Sequence, residues 1–255
     1  MDINKLLIFD VYGSMAHFRK FYTNSSSLSY MFPPRTTVTG LIAAVLGRER
    51  DTYYEEFSSD NCRMAVSVRT KLRKIMQTVN YLQTKDLGGL NGSKGHTQIP
   101  LEILLPEENM IVYRIYFLHN DAHLMDELSE RLKFSRFFYP IYMGLSELIA
   151  SARFVDEITG GDIDVKPPGG SYDICSVLNS NMLVDRGLNF VDSGGGPLQY
   201  IKELMPAEFD KDRNVKSTAN FIYEKNSNII SGKFNVPVYN LKYDGLEENI
   251  VFMEE

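Results

Sequence analysis

Cysteine is scarce in this chain. Cys62 and Cys175 are its only two, far apart and in no CxxC or paired spacing. That spacing gives no disulfide framework, and it predicts two buried free thiols in a reducing compartment. Long apolar runs are missing as well. Nothing approaches the roughly 20 residues of a membrane-spanning helix. The stretch from Leu6 to Phe9 is too short for a signal-peptide core and runs straight into Asp10. A cytoplasmic protein is expected. Histidine is limited to His17, His96, His119 and His123, with no cysteine cluster beside them. His119 and His123 are predicted to lie at a strand end and a helix start, so they need not share a face, and no metal or cofactor is expected. The glycine-rich segment 88–95 does not end in Gly-Lys-Ser/Thr before a helix, so it is no phosphate loop, and no GxSxG elbow occurs. Asp162 and Asp164 sit in a glycine-rich loop and read as a solvated turn.

Net positive charge is lacking too, since the 255 residues carry −6. The distribution matters more than the total. Residues 61–100 hold seven basic side chains against one acidic, a local +6 that leaves −12 for the remainder. Phosphate binding needs concentrated positive charge. One basic element on an acidic body suits a grip on a short stretch of RNA; a solvated basic hairpin with no partner is the plainer alternative.

What is present is ample core material, 44% hydrophobic, arranged in readable periods. Residues 5–11 predict a central strand, apolar on both faces. Pro33-Pro34 ends the loop that follows, and Thr36 or Thr37 is predicted to cap a helix. Val38, Leu41, Ile42 and Val45 form its apolar stripe, and Gly47 its C-terminal cap. A short helix is predicted over 52–57. Residues 63–73 alternate: Met64, Val66, Val68, Thr70 and Leu72 on one face, Arg63, Ala65, Ser67, Arg69, Lys71 and Arg73 on the other. Residues 74–105 predict a long projecting hairpin with a glycine-rich tip. A strand over 110–119 and a helix capped by Asp121, with Leu124, Leu128 and Leu132 on one stripe, come next. A last strand is predicted over 153–158.

The order β-α-β-β-α-β is the ferredoxin-like, RRM-like arrangement. The fold class is therefore α+β: a ferredoxin-like N-terminal domain over 1–150 with a long basic thumb hairpin at about 74–105, and a smaller β-rich C-terminal lobe over 151–255. Both helices would cover one sheet face. The other would carry Arg63, Arg69, Lys71, Arg114 and Tyr116 toward single-stranded RNA, or else be covered by the second half of the chain. Phe221 to Tyr223, 229–238 and 250–252 are predicted strands of that half, and glycine runs such as Gly194-Gly195-Gly196 punctuate it.

Three segments, FDVYGSMAHFR at 9–19, SYMFPPRTTVTGLIAAVLG at 29–47 and YPIYMGLSE at 139–147, resemble the fifth family of CRISPR-associated proteins. That family lies in the RAMP superfamily, and the likeness is to the form found in type I-B Cascade. It covers about the first 150 residues. It implies a non-catalytic subunit that caps the 5′ handle of the crRNA, contacts the terminal backbone subunit and the large subunit, and meets target DNA only through the complex. The basic hairpin falls where the family's thumb belongs. The candidate RNA-binding residues are Arg19, Lys20, Tyr22, Arg35, Arg69, Lys71, Arg73, Lys74, Lys85, Lys94, His96, Gly144 and Ser146. Some family members, in type I-C, cut repeat RNA themselves with Tyr, Lys and His. Here Leu118 precedes His119 where a lysine belongs, which favours a binding role. The alternative is a metal-independent endoribonuclease using His119 with Tyr116, or His17 with Tyr22.

Overall fold

The computed structural model describes residues 5–23, 26–82, 84–191 and 197–255. In chain order its elements are β1 (Leu6–Gly13), β2 (Phe18–Arg19), β3 (Ser29–Tyr30), α1 (Arg35–Leu46), β4 (Cys62–Val68), β5 (Leu72–Leu82), α2 (Leu87–Leu90), β6 (His96–Pro106), β7 (Ile111–His119), α3 (Ala122–Lys133), β8 (Ala150–Ile158), β9 (Ile163–Lys166), β10 (Ser171–Ile174), β11 (Leu178–Asn179), β12 (Leu183–Leu188), β13 (Tyr200–Phe209), β14 (Val215–Glu224), β15 (Ile230–Phe234), β16 (Val238–Tyr243) and β17 (Leu246–Ile250). The class is α+β with strands predominating. The predicted glycine run Gly194-Gly195-Gly196 lies outside the described residues.

Four strands form an antiparallel sheet in the order β4-β7-β1-β8. β1 is apolar on both faces because both are covered. Leu7, Phe9 and Val11 join Met64, Val66, Ile115 and Phe117 against Val38, Leu41 and Ile42 of α1 and Leu124, Leu128 and Leu132 of α3. α1 starts at Arg35, directly after Pro34, whose fixed φ suits a helix entry. No side chain caps it, so neither Thr36 nor Thr37 has the predicted capping role. Gly47 ends it at φ 77, as its sequence position predicts. Asp121 caps α3, its carboxylate accepting from the His123 and Leu124 amides.

The opposite sheet face is not free. Leu6, Ile8, Ala65, Tyr116 and Leu118 pack against Tyr239, Leu241, Tyr243, Ile250 and Phe252. Of the two alternatives for this face, the structure has the covered one, a second buried layer in place of an open RNA-binding face. Alternation alone cannot separate the two cases when the polar positions are Arg and Tyr, whose stems bury while their heads find partners.

The predicted boundary at 150 also shifts. β8 pairs with β1 along Leu6 to Gly13, so the sheet runs to Ile158. Val177, Met205, Phe221, Tyr223 and Met253 enter the helix-side core, so the second half of the chain wraps the sheet. Even the penultimate residue is anchored: the Arg35 Nε donates to the buried Glu254 carboxylate at 2.6 Å, and the Met64 amide donates to it at 3.0 Å.

Two further local readings change. Residues 52–57 form turns, not a helix; the Phe57 amide donates to the Tyr53 carbonyl and the Ser58 amide to that of Glu55. The strand read over 63–73 breaks at Arg69, Thr70 and Lys71, and from Leu72 the chain leaves the sheet to enter the hairpin.

Candidate nucleic-acid interface

β5 and β6 pair from Leu72↔Pro106 to Leu82↔His96 with no register shift. The two strands form a sheet of their own, with β5 mostly exposed, while β6 hydrogen-bonds to Ala16 and Ser27 and buries Leu101 and Leu104. Its tip carries the turn of helix α2, capped by Asp86, with Leu87 81% exposed. Lys71 and Arg73 at the root and Lys85 near the tip are exposed, with no carboxylate in ion-pair reach among the described residues. His96 is exposed where β6 begins.

Other candidates are neutralised within the chain. Lys94 pairs with Asp86 at the tip. Lys74 donates to the Ser29 carbonyl at 2.7 Å and to Glu102 at 3.0 Å. Lys20 donates to Glu203 at 2.6 Å, both largely shielded. Arg35 is buried against Glu254, the Phe57 carbonyl and the Cys62 thiol. Arg69 holds Glu248 through both terminal nitrogens and touches the hydroxyls of Tyr116 and Tyr243. For Arg35 and Arg69 a free cation is corrected to an ion pair within the chain, buried at Arg35 and largely shielded at Arg69.

Around Arg69 the electrostatics are tightly coupled. Burial alone would raise the Glu248 carboxyl, yet the Arg69 and Tyr243 hydrogen bonds outweigh it and bring it down to about 2. Asp10 is likewise penalised by burial but held below its ordinary value by Arg114 and Arg153. Glu157 and Glu208 are also depressed to about 2. A depressed carboxyl stabilises the fold above its unfolded value near 4.5 and loses that contribution as pH falls toward the folded value. The urea midpoint should therefore decline steadily between pH 4.5 and about 2. Glu248→Gln should flatten the decline, as measured by tyrosine fluorescence; an unchanged slope would contradict the assignment.

His119 and Tyr116 are not brought together. Tyr116 faces the C-terminal layer in the Arg69 network, whereas His119 sits on the helix side against Phe57 and Phe117. The His119 Nδ1 accepts from the Asp121 amide at 2.9 Å, so Nε2 carries the proton and donates to the Glu56 carbonyl at 2.9 Å. His17 is buried, and its imidazole bridges the Glu102 carbonyl at Nδ1 and the Ser27 hydroxyl at Nε2. Burial depresses its pKa. Its proposed companion Tyr22 is half exposed and stacks edge-on with Phe21.

A cleft of about 370 Å³ joins the three sequence segments noted above. Arg19 ends the first segment and Phe21 follows it, Thr36, Thr37 and Gly40 come from α1, and Ile141, Tyr142 and Gly144 come from the third. Tyr53, Tyr54, Phe209 and Arg213 complete it. Sequence reasoning missed these four. Tyr53-Tyr54 lies in the stretch misread as a helix, and Arg213 in a charged turn with no pattern of its own. Gly144 has φ 95, and a Cβ there would overlap the His17 carbonyl oxygen. Its glycine is thus required by an internal backbone approach, which replaces the predicted approach to RNA. Gly144→Ala should cost at least about 2 kcal/mol, read as a lowered Tm; an unchanged Tm would refute the steric account. Ser146 is exposed beside Glu147.

Residues 6–180 match the family model described as CRISPR-associated protein (Cas_Cas5). Among solved structures, a CRISPR protein from Archaeoglobus fulgidus aligns with TM-score 0.54 at 11% identity, covering 96% of this chain and 98% of that one. A chain of a CRISPR RNA-guided surveillance complex aligns at TM-score 0.48 and 13% identity, covering 91% of each. One of a type III-B Cmr-beta complex bound to cognate target RNA and AMPPnP aligns at 0.45 and 13%, covering 89% of this chain and 86% of that one. No curated protein sequence matches the chain. The family match spans well over half of the sequence and contains the sheet, both long helices and the hairpin, so the chain belongs to the Cas5 family of CRISPR-associated proteins.

Proposed function

We propose that this chain is a non-catalytic, RNA-binding subunit of a CRISPR effector complex, in the type I-B Cascade form, that holds the 5′ handle of the crRNA. In this reading the β-α-β-β-α-β core is a ferredoxin-like domain with the β5–β6 hairpin as its thumb. The terminal backbone subunit and the large subunit are its neighbours. The observation that carries the reading is the thumb itself: a fully paired hairpin extending from a family-matched core, with Lys71, Arg73 and Lys85 free of internal carboxylates. Cations that no internal carboxylate neutralises remain available to phosphates, whose binding releases counterions. A binding role also fits the histidines, whose ring nitrogens at His17 and His119 are committed to internal hydrogen bonds.

Isolated chain should bind RNA weakly, because its net charge of −6 gives no long-range attraction for a polyanion. The test is co-expression with the other complex subunits and a repeat-spacer transcript, followed by photocrosslinking and RNA sequencing. Crosslinks from this chain to the constant repeat-derived 5′ segment are expected. Crosslinks confined to the spacer or the 3′ end would reject handle binding. Cleavage of repeat RNA by the purified chain in EDTA, abolished by His119→Ala, would replace the reading with the endoribonuclease.

A further inference from the structure

The cleft beside α1 has a composition that the thumb reading does not use. Six Phe and Tyr rings line it: Phe18, Phe21, Tyr53, Tyr54, Tyr142 and Phe209. Phe21 and Tyr142 are 44% and 45% exposed, so apolar ring surface is left open to solvent. Tyr54 lies between Tyr53 and Phe209, with ring centroids 4.9 and 5.7 Å away. Arg19 and Arg213 reach the same cleft, and among its described lining residues there is no aspartate or glutamate. Thr36 and Thr37, in the first turn of α1, line the same cleft. Asp51, which accepts from the Tyr54 hydroxyl, stands outside the lining.

Open aromatic surface beside guanidinium groups with no carboxylate partner among the described residues, Arg19 donating only to the Thr23 carbonyl at 3.1 Å, matches one chemistry. Rings stack on a base of any sequence, and cations and hydroxyls take its phosphate. The volume falls within the ~300–1,000 Å³ usual for ligand sites. Two sources build the walls. Arg19, Phe21, Thr36, Thr37, Tyr53, Tyr54 and Tyr142 lie inside the family-matched residues 6–180, whereas Phe209 and Arg213 come from the β13–β14 hairpin beyond them. Arg213 sits at the hairpin's tip with φ 62 and is exposed, held only through its backbone amide to the Asp210 carbonyl among the described residues.

We propose that this cleft receives one unpaired nucleotide of the bound RNA, its base against the tyrosines and its phosphate on Arg19 and Arg213, with the β13–β14 hairpin deciding which nucleotide is accepted. The proposal rests on the RNA-binding reading above and deepens it. It assigns to the C-terminal half a specificity role in addition to covering the sheet. Phe209 and Arg213 contact the nucleotide from the side that the family-matched residues leave open.

The test uses the full chain at low salt with ten-nucleotide single-stranded RNAs carrying one photoreactive uridine, and with free nucleoside monophosphates as competitors. Crosslinked peptides are identified by mass spectrometry, and affinity is followed by tyrosine fluorescence. The variants are Arg213→Asn, chosen because Asn tolerates a positive φ, Tyr142→Ala, and a thumb-tip replacement. Crosslinks are expected in peptides containing Tyr53-Tyr54 and residues 206–213, and they should persist in the thumb variant. Tyr142→Ala should weaken binding about tenfold. Arg213→Asn should lower the salt slope by about 0.7 and alter the preference among A, C, G and U oligomers. Crosslinks confined to thumb peptides, with both cleft variants binding like wild type, would overturn the pocket and leave the RNA-binding reading intact. Free mononucleotides competing as well as the oligomers would overturn RNA as the source of the nucleotide. No RNA bound, alone or with the partner subunits, would overturn both readings.

Discussion

Arg69→Ala is expected to destabilise the chain by about 3 kcal/mol, the lower end of the penalty for breaking a shielded ion pair. Both side chains are mostly covered, at 24% and 18% exposure for Arg69 and Glu248. The Arg69 guanidinium donates to Glu248 at 2.7 and 2.5 Å, to the Tyr116 hydroxyl at 2.9 Å and to that of Tyr243 at 3.2 Å. Its removal leaves a carboxylate facing two tyrosines with no cation, at the seam where β16 and β17 cover the sheet. The loss should therefore loosen the C-terminal layer as a unit. Arg69→Met combined with Glu248→Leu should recover most of the stability, because it removes both charges and keeps the volume. Lys71→Ala, two positions on and exposed, should move stability by less than about 0.5 kcal/mol. Urea denaturation of the four proteins decides the matter. An Arg69→Ala protein that melts like wild type but sheds RNA would restore the open sheet face.

That contrast shows how much the sequence could tell. The apolar stripes of α1 and α3, the Gly47 and Asp121 caps and the reach of the hairpin were all legible, because each follows from local periodicity or a single turn residue. The destination of the charged face was not. Arg69 and Lys71 occupy equivalent positions in the alternating pattern, yet one is largely shielded and the other exposed, and what separates them is Glu248 arriving from the far end of the chain. Arg35 is concealed the same way by Glu254. The cleft was half legible. Arg19 and Gly144 were singled out, though Gly144 serves a backbone contact with His17. Arg213 and Phe209 enter only through the pairing of β13 with β14, and no local pattern carries that. Charge runs therefore located the hairpin but overcounted its free cations, since Lys74 and Lys94 have acidic partners within the hairpin itself.

Replacing residues 83–95 with Asn-Gly should leave a folded chain that fails to assemble. Leu82 and His96 face each other at the end of the β5–β6 ladder, so a two-residue turn can close the shortened hairpin. The excised segment adds almost nothing to the core: within its described residues only Gly89 is buried, while Leu87 and Leu90 are exposed. The Tm should shift by no more than a few degrees. The segment nevertheless contains Lys85 and the exposed leucines of α2, a cation and an apolar tip that a neighbouring subunit and the RNA backbone would together cover. Recovery of crRNA and partner subunits with the tagged chain should fall at least about tenfold, equivalent to losing about 1.4 kcal/mol of assembly free energy. Normal yield of the whole complex on a full-length guide would show the tip to be dispensable and remove the thumb from the interface. Arg73→Ala and Lys71→Ala in the intact hairpin separate the two contributions. Each should leave subunit recovery near normal and reduce RNA retention in a salt-dependent manner, because the contact proposed at the root of the hairpin is with phosphate alone.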